Sequence, residues 1–316
     1  MAIPKPIEFI PHNTKIPFVS FFKQCFAASM VLNLATIVLL ATIGLNLGID
    51  FRGGTLVEVR AKEGTVNVAA LRSAVNSLGL GDAQIQEFGN PRDALIRVAE
   101  QPGGEKAQQE ALAKIEAAIS GSVDVVRKEV VGGTVSRELL QQAVLALVLT
   151  CAGIFAYVWF RFEWQFALGA IVALVHDVFL TVGVFSAFQF DFDLTIIAAL
   201  LTILGYSIND TVVIYDRIRE NLRKYKKMPL TELLDLSVNE TLGRTIMTVS
   251  TVLLSLLALY FFGGPVIRGF VFAMLFGAVV GTYSSVFIAA PFLIMIGVKR
   301  DWSGTETKSP RGKVNA

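Results

Sequence analysis

The sequence predicts a polytopic α-helical membrane protein with six transmembrane helices and a small α+β domain of the ferredoxin-like type between the first and second helices. Hydrophobic residues make up 53% of the 316 residues, charged residues only 17%, and the mean hydropathy is +0.59. Soluble domains carry more charge and fewer apolar residues. Six apolar runs are long enough to cross a hydrocarbon core about 30 Å thick. The first two runs are separated by about 90 residues of mixed polarity, enough for one soluble domain.

The predicted transmembrane helices follow from the length of each apolar run. In chain order they cover residues 26–47, 139–160, 166–188, 194–215, 244–262 and 269–298. The first run is too long for the apolar part of a cleaved signal peptide and lacks a clear small-residue cleavage pattern. It is therefore interpreted as an uncleaved membrane anchor.

The distribution of lysine and arginine predicts the orientation in the membrane. The loop 216–243 and the tail 299–316 are rich in both residues, and lysines also precede the first run in segment 1–25. Short segments with an excess of positive charge stay on the cytoplasmic side. Six crossings then place both termini in the cytoplasm and segment 48–138 on the outer side.

Segment 48–138 alternates between strand-like and helix-like hydrophobic patterns. The predicted elements, in the order β-α-β-β-α-β, are 55–61, 66–78, 83–88, 94–99, 105–119 and 122–131. Asn67 is a suitable cap for the first helix, and the residues at 90–93 predict a turn. This order is that of the split βαβ, ferredoxin-like arrangement.

Pairs of glycines stand at both junctions between this domain and the membrane. Gly53 and Gly54 follow the first span, and Gly132 and Gly133 precede the second. Glycine reaches backbone conformations that are closed to other residues. We interpret the pairs as hinges, while ordinary turns at the junction remain an alternative that the spacing leaves open.

A carboxylate, Asp210, lies inside the fourth apolar run. An ionised carboxylate in hydrocarbon is costly, so such residues face a bundle interior or a wet cavity and suggest ion or proton handling. Helical spacing places Tyr206 on the same face, with Ser207 three residues before Asp210. Asn209 is interpreted as a group that hydrogen-bonds between helices. The alternative is a structural aspartate bonded to neighbouring hydroxyls.

The centre of the third run contains His176 and Asp177. Asp177 is a candidate second relay group, and a structural carboxylate is the equally open alternative. Because neighbouring helical residues point about 100° apart, the two side chains are not expected to face the same partner. His176 is interpreted as a helix-contact residue.

The fifth run begins with Arg244, and Thr248 lies one turn later on the same face. An arginine near a helix end either extends to the interface or turns inward. If Arg244 turns toward Asp210, separating the two charges would capture or release a proton. In the sixth run, Gly277 and Gly281 predict close helix packing.

The sequence offers little for metal, cofactor or enzymatic chemistry. Two histidines and two cysteines give no metal-ligand spacing, and neither a nucleophilic triad nor a phosphate-binding loop is present. No basic and aromatic surface predicts nucleic-acid binding. We therefore expect a non-enzymatic subunit, without metal or cofactor, that draws its energy from elsewhere.

Several motifs together resemble the SecD/SecF family of protein-export membrane proteins, within the resistance-nodulation-division superfamily. They are DFRGGT at 50–55, VHD at 175–177, GYSINDTVVIYDRIREN at 205–221, SVNETLGR at 237–244 and GTYSS at 281–285. The resemblance covers nearly the whole chain apart from 1–24 and 301–316.

The resemblance implies one half of a resistance-nodulation-division-type bundle in the bacterial inner membrane, with a periplasmic outer domain. It implies a subunit that uses the proton-motive force in late steps of polypeptide translocation, with Asp210 and Arg244 matching the family's functional pair. The implied partners are SecD, the SecYEG channel, SecA, YajC, the exported polypeptide and membrane lipid. Because such halves work in pairs, the chain is expected to need a six-span partner.

Two other functions remain open at this stage. A subunit of a proton-driven small-molecule or lipid exporter of the same superfamily would be expected to carry much larger outer domains with substrate pockets. An assembly factor that only braces a channel would be expected to function without Asp210.

Overall fold

The computed structural model describes residues 14–81 and 83–298. Within these ranges, six helical segments are long and apolar enough to cross a membrane, as predicted. They are Phe18–Thr42, Gly133–Arg161, Trp164–Phe188, Leu194–Lys224, Leu230–Phe262 and Pro265–Ile296. The predicted tail 299–316 and the first thirteen residues of the predicted segment 1–25 lie outside the described residues.

The six main helices of the membrane part are α1 (Phe22–Thr42), α5 (Gly133–Arg161), α6 (Trp164–Phe188), α7 (Leu194–Lys224), α8 (Leu230–Phe262) and α9 (Arg268–Ser284). Four of them, α5 to α8, are longer than the apolar runs that predicted them. The segment 216–243, predicted as a loop, is therefore mostly helical, and only 225–229 connects α7 to α8. Lysine, arginine and glutamate have helix propensities as high as those of apolar residues, so α7 continues beyond the apolar run. The first helix-breaking residue after α7 is Pro229, just before α8.

The sixth span changes its hydrogen-bonding pattern partway along. α9 is followed by a π-helical segment, Ser285–Ala289, and by the short α10 (Ala290–Ile296). Pro291, at the start of α10, has no N–H to donate to the preceding turn. The missing bond favours the wider π turn directly before it.

The outer domain has the predicted ferredoxin-like topology. Its elements are β2 (Gly54–Ala61), α3 (Val68–Asn76), β3 (Gln84–Phe88), β4 (Asn90–Val98), α4 (Gly104–Ile119) and β5 (Val123–Val131). The strands form one antiparallel sheet in the order β3-β4-β2-β5. The short elements β1 (Asn46–Leu47) and α2 (Ile49–Arg52) lead into it from α1, and β1 pairs with β6 (Asp191–Phe192) between α6 and α7.

Local signals place most of these elements correctly. The side chain of Asn67 caps α3 by accepting a hydrogen bond from the Ala70 N–H. The predicted turn at 90–93 is wrong, because β4 begins at Asn90. The chain reverses instead at Gly89, whose φ of 79° suits glycine.

The core of the outer domain lies on one face of its sheet. Val57, Val59 and Ile96 are fully buried there against α3 and α4. The other face looks toward the membrane part across a cavity of about 860 Å³. Leu56, Glu58 and Arg97 from the sheet, and Asp191, Pro265 and Phe272 from the membrane part, are among its lining residues.

Two contacts connect the outer domain to the membrane part across this cavity. The Arg97 guanidinium donates to both carboxylate oxygens of Asp191, at 2.8 and 2.5 Å. The turn at Gly89 lies against Pro265, between α8 and α9, and a Cβ built on Gly89 would be 2.8 Å from the Pro265 Cβ. The outer domain therefore touches both connections on this side of the bundle.

Asp93 anchors β4 to β2 inside the outer domain. It is 1% exposed and accepts hydrogen bonds from Arg60 Nε at 2.6 Å, Arg60 Nη2 at 3.0 Å and Asn90 Nδ2 at 2.6 Å. The hydrogen bond from Arg60 holds the pKa of Asp93 below its usual range. The resulting stability is fully present above the ordinary carboxyl pKa of about 3.9 and is lost as the pH falls through the lower folded pKa.

We expect Asp93→Asn to destabilise the outer domain, because the buried carboxylate loses its charge-assisted hydrogen bonds from the half-exposed Arg60. Hydrogen exchange of the β2 and β4 amides in the full chain should accelerate about tenfold or more at neutral pH. The matched control is Asp124→Asn, which removes an exposed carboxylate 3.9 Å from Lys62. Equal exchange rates in the two variants would contradict the anchoring role of Asp93.

Candidate functional site

The middle of α7 directs polar side chains toward two different neighbours. Asp210 faces α8, whereas Ser207 faces α6 and α9. Helical residues three apart are offset by about 60°, which is enough for this separation. Ser207 was predicted to support Asp210. It donates its hydrogen bond to Asp177 instead.

The Asp210 carboxylate lies half-buried between α7 and α8. Its Oδ1 accepts a hydrogen bond from Thr245 Oγ1 at 2.5 Å. Its Oδ2 is buried and has no hydrogen-bond partner among the described residues. A buried, unpaired carboxylate oxygen costs free energy when the group is ionised, and a proton on that oxygen removes the charge. The geometry suits a carboxyl group that gains and loses a proton.

Arg244 does not pair with Asp210 in this conformation. Its side chain is exposed, and the part of the chain that the structure describes contains no ion pair within 4.0 Å between the two groups. The guanidinium is still near enough to interact electrostatically with the carboxylate. The pairing of Arg244 with Asp210 stays a prediction.

The other residues predicted around Asp210 lie toward the surface of the bundle. Tyr206 is half-buried one turn before Asp210, Asn209 is exposed beside it, and Thr248 is half-buried on α8. Within the described ranges, none of these three side chains forms a hydrogen bond.

An exposed polar strip runs along α7 and α8 at membrane depth. We call it the polar flank, and it consists of Thr202, Asn209, Arg244, Thr251 and Ser255. Polar side chains in a bilayer usually face other helices or water-filled cavities rather than lipid. The polar flank is therefore a surface that another membrane protein would cover.

Asp177 lies in a second, fully buried polar cluster. It is 0% exposed, and its Oδ2 accepts hydrogen bonds from Ser207 Oγ at 2.7 Å and Ser284 Oγ at 2.8 Å. Its Oδ1 is 3.0 Å from His176 Nδ1. The cluster joins α6, α7 and α9 at the centre of the bundle.

The side chains of His176 and Asp177 contact each other, which the helical spacing did not predict. Their Cα–Cβ directions differ as helical geometry requires, but the imidazole turns back and hydrogen-bonds to the neighbouring carboxylate. Burial favours this contact, because the carboxylate has few donors available inside the bundle. Ser284 on α9 also supplies a donor to this cluster.

Two glycines allow α9 to approach α7 closely. A Cβ on Gly277 would clash with the Ile203 side chain, and one on Gly281 would lie 3.0 Å from the Ser207 Cβ. Near the same contact, the hydroxyls of Thr211 and Ser285 are 2.7 Å apart. This close approach brings Ser284 within reach of Asp177.

A buried polar stripe on α8 was missed by the sequence analysis. It consists of Ser237, Thr241 and Thr245, which are spaced by four residues and buried. The spacing itself was the available signal. The stripe was not predicted because the adjacent face of α8 carries a second polar stripe, which includes the charged residue Arg244 and Thr248.

The C-terminal end of α7 and the N-terminal end of α8 are joined by a cluster that we call the helix clamp. Asn221 Nδ2 donates to Ser237 Oγ at 3.0 Å and to Glu240 Oε2 at 2.7 Å. The segment before α1 is tied to the same end of α8, since Asn239 exchanges two hydrogen bonds of 2.9 Å with the backbone of Ile16. Asp235 Oδ1 accepts from the Val19 N–H at 2.8 Å. The first turns of α8 are therefore held on two sides.

The glycine pairs at the two junctions lie next to each other in space. Gly53 and Gly54 have φ of 73° and 125°, and a Cβ on Gly54 would clash with the Val98 carbonyl oxygen. Gly133 begins α5, and its N–H donates to Glu100 Oε1 at 2.9 Å. A Cβ on Gly53 would be 3.4 Å from the Gly133 Cα.

Gly132 has an ordinary extended backbone with open space around it. The chain therefore leaves and re-enters the membrane part at adjacent points. Whether the glycine pairs act as hinges stays a prediction.

Residues 14–81 and 83–298 contain no group of three or more histidine, cysteine, aspartate or glutamate side chains that could hold a metal ion. Cys25 and Cys151 are free thiols, both half-buried.

Two family models match the chain. The model described as "Protein export membrane protein SecD/SecF, C-terminal" matches residues 111–299. The model described as "SecD/SecF GG Motif" matches residues 38–64, which include Gly53 and Gly54.

Similar proteins carry matching names. The protein translocase subunit SecF of Cereibacter sphaeroides is 47% identical over 96% of both chains, and that of Rhodobacter capsulatus is 46% identical over 97% of this chain and 96% of the relative. The protein translocase subunit SecDF of Brucella abortus is 43% identical over 93% of this chain but only 39% of its own length.

Two solved structures of SecDF are also similar. SecDF from Thermus thermophilus, described as a translocon-associated membrane protein, matches with a TM-score of 0.82 and 35% identity over 92% of this chain. SecDF in a super-membrane-facing form matches with a TM-score of 0.68 and 36% identity over 93% of this chain. The chain spans 40% of the length of each of these proteins.

Proposed function

Because the chain belongs to the SecD/SecF family of protein-export membrane proteins, we propose that it uses the proton-motive force, together with a SecD-type partner, to promote late steps of polypeptide translocation. The proposed location is the bacterial cytoplasmic membrane, in which the chain is a multi-pass protein. The subunit itself carries out no enzymatic reaction, and the proton gradient supplies the energy.

The observation that carries this proposal is the environment of Asp210. A carboxylate within a transmembrane helix has one oxygen bonded to Thr245 and one buried oxygen without a partner. Such a group has two stable arrangements. Either it binds a proton, or it is ionised and attracts a positive charge.

Arg244 supplies that positive charge in the proposed cycle. With a proton on Asp210, the guanidinium stays at the exposed position described above. When the proton leaves, Arg244 moves toward the carboxylate and pairs with it. Tyr206, Asn209 and Thr248 line the space through which the guanidinium moves. The resulting shift of α8 against α7 is the proposed link between proton transfer and movement of the outer domain.

The proposed orientation places both termini in the cytoplasm and the outer domain in the periplasm. It is supported by the basic residues at the joined ends of α7 and α8, where Arg217, Arg219, Arg223 and Lys224 lie. On the periplasmic side, the outer domain is placed to meet the polypeptide as it emerges. SecYEG, SecA and YajC are proposed as associated components from the family resemblance.

A SecD-type half is the proposed occupant of the polar flank. The relatives named SecDF carry this chain's counterpart within a longer polypeptide, so the remaining part is available to cover that surface. Two six-span halves packed through α7 and α8 would remove Thr202, Asn209 and Thr251 from lipid. Together they would also enclose Asp210.

The direct test is export by proteoliposomes that contain the channel, the SecD-type half and this chain. Export of a labelled precursor is measured with and without an imposed proton gradient, and with an uncoupler added. We expect the gradient to accelerate export only when the chain is present. Equal export with and without the gradient would contradict the proposed use of the proton-motive force.

We expect the chain to be degraded rapidly when it is expressed without the SecD-type half, because the polar flank is then left against lipid. Co-expression should restore its lifetime in a pulse-chase measurement. The matched variant replaces Thr202, Thr251 and Ser255 by Val, Val and Ala, which removes hydroxyls that bond only within their own helices. It should live longer alone than the native chain. Equal lifetimes of the native chain with and without the partner half would contradict the proposed interface.

We expect Thr245→Val to reduce gradient-stimulated export about tenfold, since a hydrogen bond to a charged group contributes about 1.5–3 kcal/mol. Valine has the same shape but no donor, so Asp210 loses its described partner. The control is Thr251→Val, which alters an exposed hydroxyl bonded to the Thr248 carbonyl. Equal export by both variants would rule out a role for the Thr245 hydroxyl.

A further inference from the structure

The cluster around Asp177 contains one ring nitrogen, Nε2 of His176, that has no role in the proposed function. His176 is 5% exposed, and its Nδ1 is 3.0 Å from Asp177 Oδ1. Its Nε2 is buried and has no hydrogen-bond partner among the described residues. A buried polar atom of this kind costs free energy if it stays unpaired, so it calls for an explanation.

The hydrogen bonds around Asp177 determine which nitrogen is open. Ser207 and Ser284 both donate to Oδ2, so this oxygen is an acceptor. While Asp177 is ionised, the Nδ1–H of His176 donates to Oδ1, which leaves the lone pair on Nε2 in the neutral imidazole. A proton that reaches His176 must therefore bind at Nε2.

The surroundings offer no other charge to balance this pair. On α9, the Tyr283 ring lies with its centroid 6.2 Å from that of His176, and its hydroxyl donates to the Cys25 carbonyl of α1. On α7, Asp210 is directed toward α8. Within the described ranges, the ion pairs include no lysine or arginine on His176 or Asp177. With neutral histidine the cluster carries a net negative charge in the centre of the bundle, which is costly there.

We propose that His176 and Asp177 form a second proton-binding site, separate from Asp210. A hydronium ion transfers its proton to Nε2 and leaves as water, and the imidazolium remains paired with the ionised carboxylate. The net charge of the cluster changes from minus one to zero. Release reverses the same step, so the serine hydroxyls keep their positions while the charge changes.

The consequence for transport rests on the proposed use of the proton-motive force, because a second exchangeable proton would double the charge moved in each cycle. The proton-binding step itself does not depend on that proposal. The two sites lie on different faces of one stretch of α7, about 60° apart, since Ser207 contacts Asp177 and Asp210 contacts Thr245. Proton binding at one site can therefore be measured while the other is disabled.

The composition of the chain allows a direct test. The sequence contains two histidines, His12 and His176. In a full-length His12→Gln variant, labelled with ¹⁵N-histidine and reconstituted with the SecD-type half in lipid nanodiscs, every histidine signal from this chain comes from residue 176. The SecD-type half is produced separately without label. The ¹⁵N shifts distinguish the two tautomers and the imidazolium over a range from about pH 5 to about pH 9.

We expect the neutral form to carry its proton on Nδ1 and to convert to the imidazolium within this range. Asp177→Asn removes the balancing negative charge and should weaken proton binding about tenfold or more. Ser207→Ala keeps the carboxylate and should leave His176 able to bind a proton, which separates charge from packing. Asp210→Asn should leave the titration unchanged, even if it abolishes gradient-stimulated export. A signal that stays neutral, or stays doubly protonated, across the whole range would overturn the proposal.

Discussion

Replacing Asp210 by asparagine is expected to abolish the gradient-stimulated part of polypeptide export. The amide has the size of the carboxylate and can still accept the hydrogen bond of Thr245, but it cannot ionise. Without ionisation, Arg244 has no charge to approach, and α8 has no reason to move. In proteoliposomes with the SecD-type half, export with the gradient should fall to the level measured without it.

The matched control is Asp216→Asn on the same helix. Asp216 is exposed and lies 3.2 Å from Arg161, and a surface ion pair of this kind contributes only about 0–1 kcal/mol. This variant should retain the response to the gradient. Both variants should insert and co-purify with the SecD-type half equally well. An undiminished response in Asp210→Asn would remove Asp210 from the proposed mechanism.

Linking the outer domain to the membrane part by a disulfide is expected to stop gradient-driven export, and a reductant should restore it. The structure indicates Gly89→Cys with Pro265→Cys, because a Cβ on Gly89 would lie 2.8 Å from that of Pro265. Disulfides need roughly 3.5–4.5 Å between these atoms, so the contact has to open only slightly. The link would hold the β3–β4 turn against the connection between α8 and α9.

The controls for this experiment separate strain from cross-linking. Gly89 has a positive φ, so cysteine at that position is strained whether or not a disulfide forms. The single variants, in a chain whose Cys25 and Cys151 are replaced by alanine, measure that strain alone. If the oxidised double variant responds to the gradient as well as the reduced one, the outer domain does not need to move.

The energy available from protons limits how far such a movement can be driven. Converting a two-state equilibrium from 1:99 to 99:1 needs about 5.5 kcal/mol. One proton crossing a potential of 100 mV provides about 2.3 kcal/mol. One proton at Asp210 would therefore shift the population only partly. A second proton at His176 would bring the sum to about 4.6 kcal/mol, close to the requirement.

Much of the fold could be predicted from local patterns. The apolar runs identified the six membrane helices because a bilayer requires a fixed length of hydrocarbon-compatible helix. The period of hydrophobic residues and the cap at Asn67 identified the outer domain. The ends of the helices were harder to predict, because α7 and α8 continue through a polar sequence whose composition resembles that of a loop. The turn at Gly89 was missed because Asn90 and Pro91 are stronger turn formers.

The candidate site was predicted only in part. Asp210 stood out because a carboxylate in an apolar run is rare. Its partner Thr245 could not be predicted, because threonine is common in membrane helices. The polar stripe that contains Arg244 and Thr248 gave a stronger signal on the adjacent face of α8. The contact between His176 and Asp177 depends on a side-chain rotation, which helical spacing does not determine. The roles proposed for Arg244 and the glycine pairs require a change of conformation.

The helix clamp makes α8 a lever. Asn221, Ser237 and Glu240 hold its N-terminal end, and the Ile16 segment holds the same end from another side. At 1.5 Å per residue, Thr245 lies about 12 Å from Ser237 and Phe262 about 38 Å, so a tilt about the clamp moves the far end about three times as far as the proton site. The far end leads directly into Pro265, which touches the outer domain at Gly89. A small displacement beside Asp210 would thus arrive at the outer domain mechanically amplified.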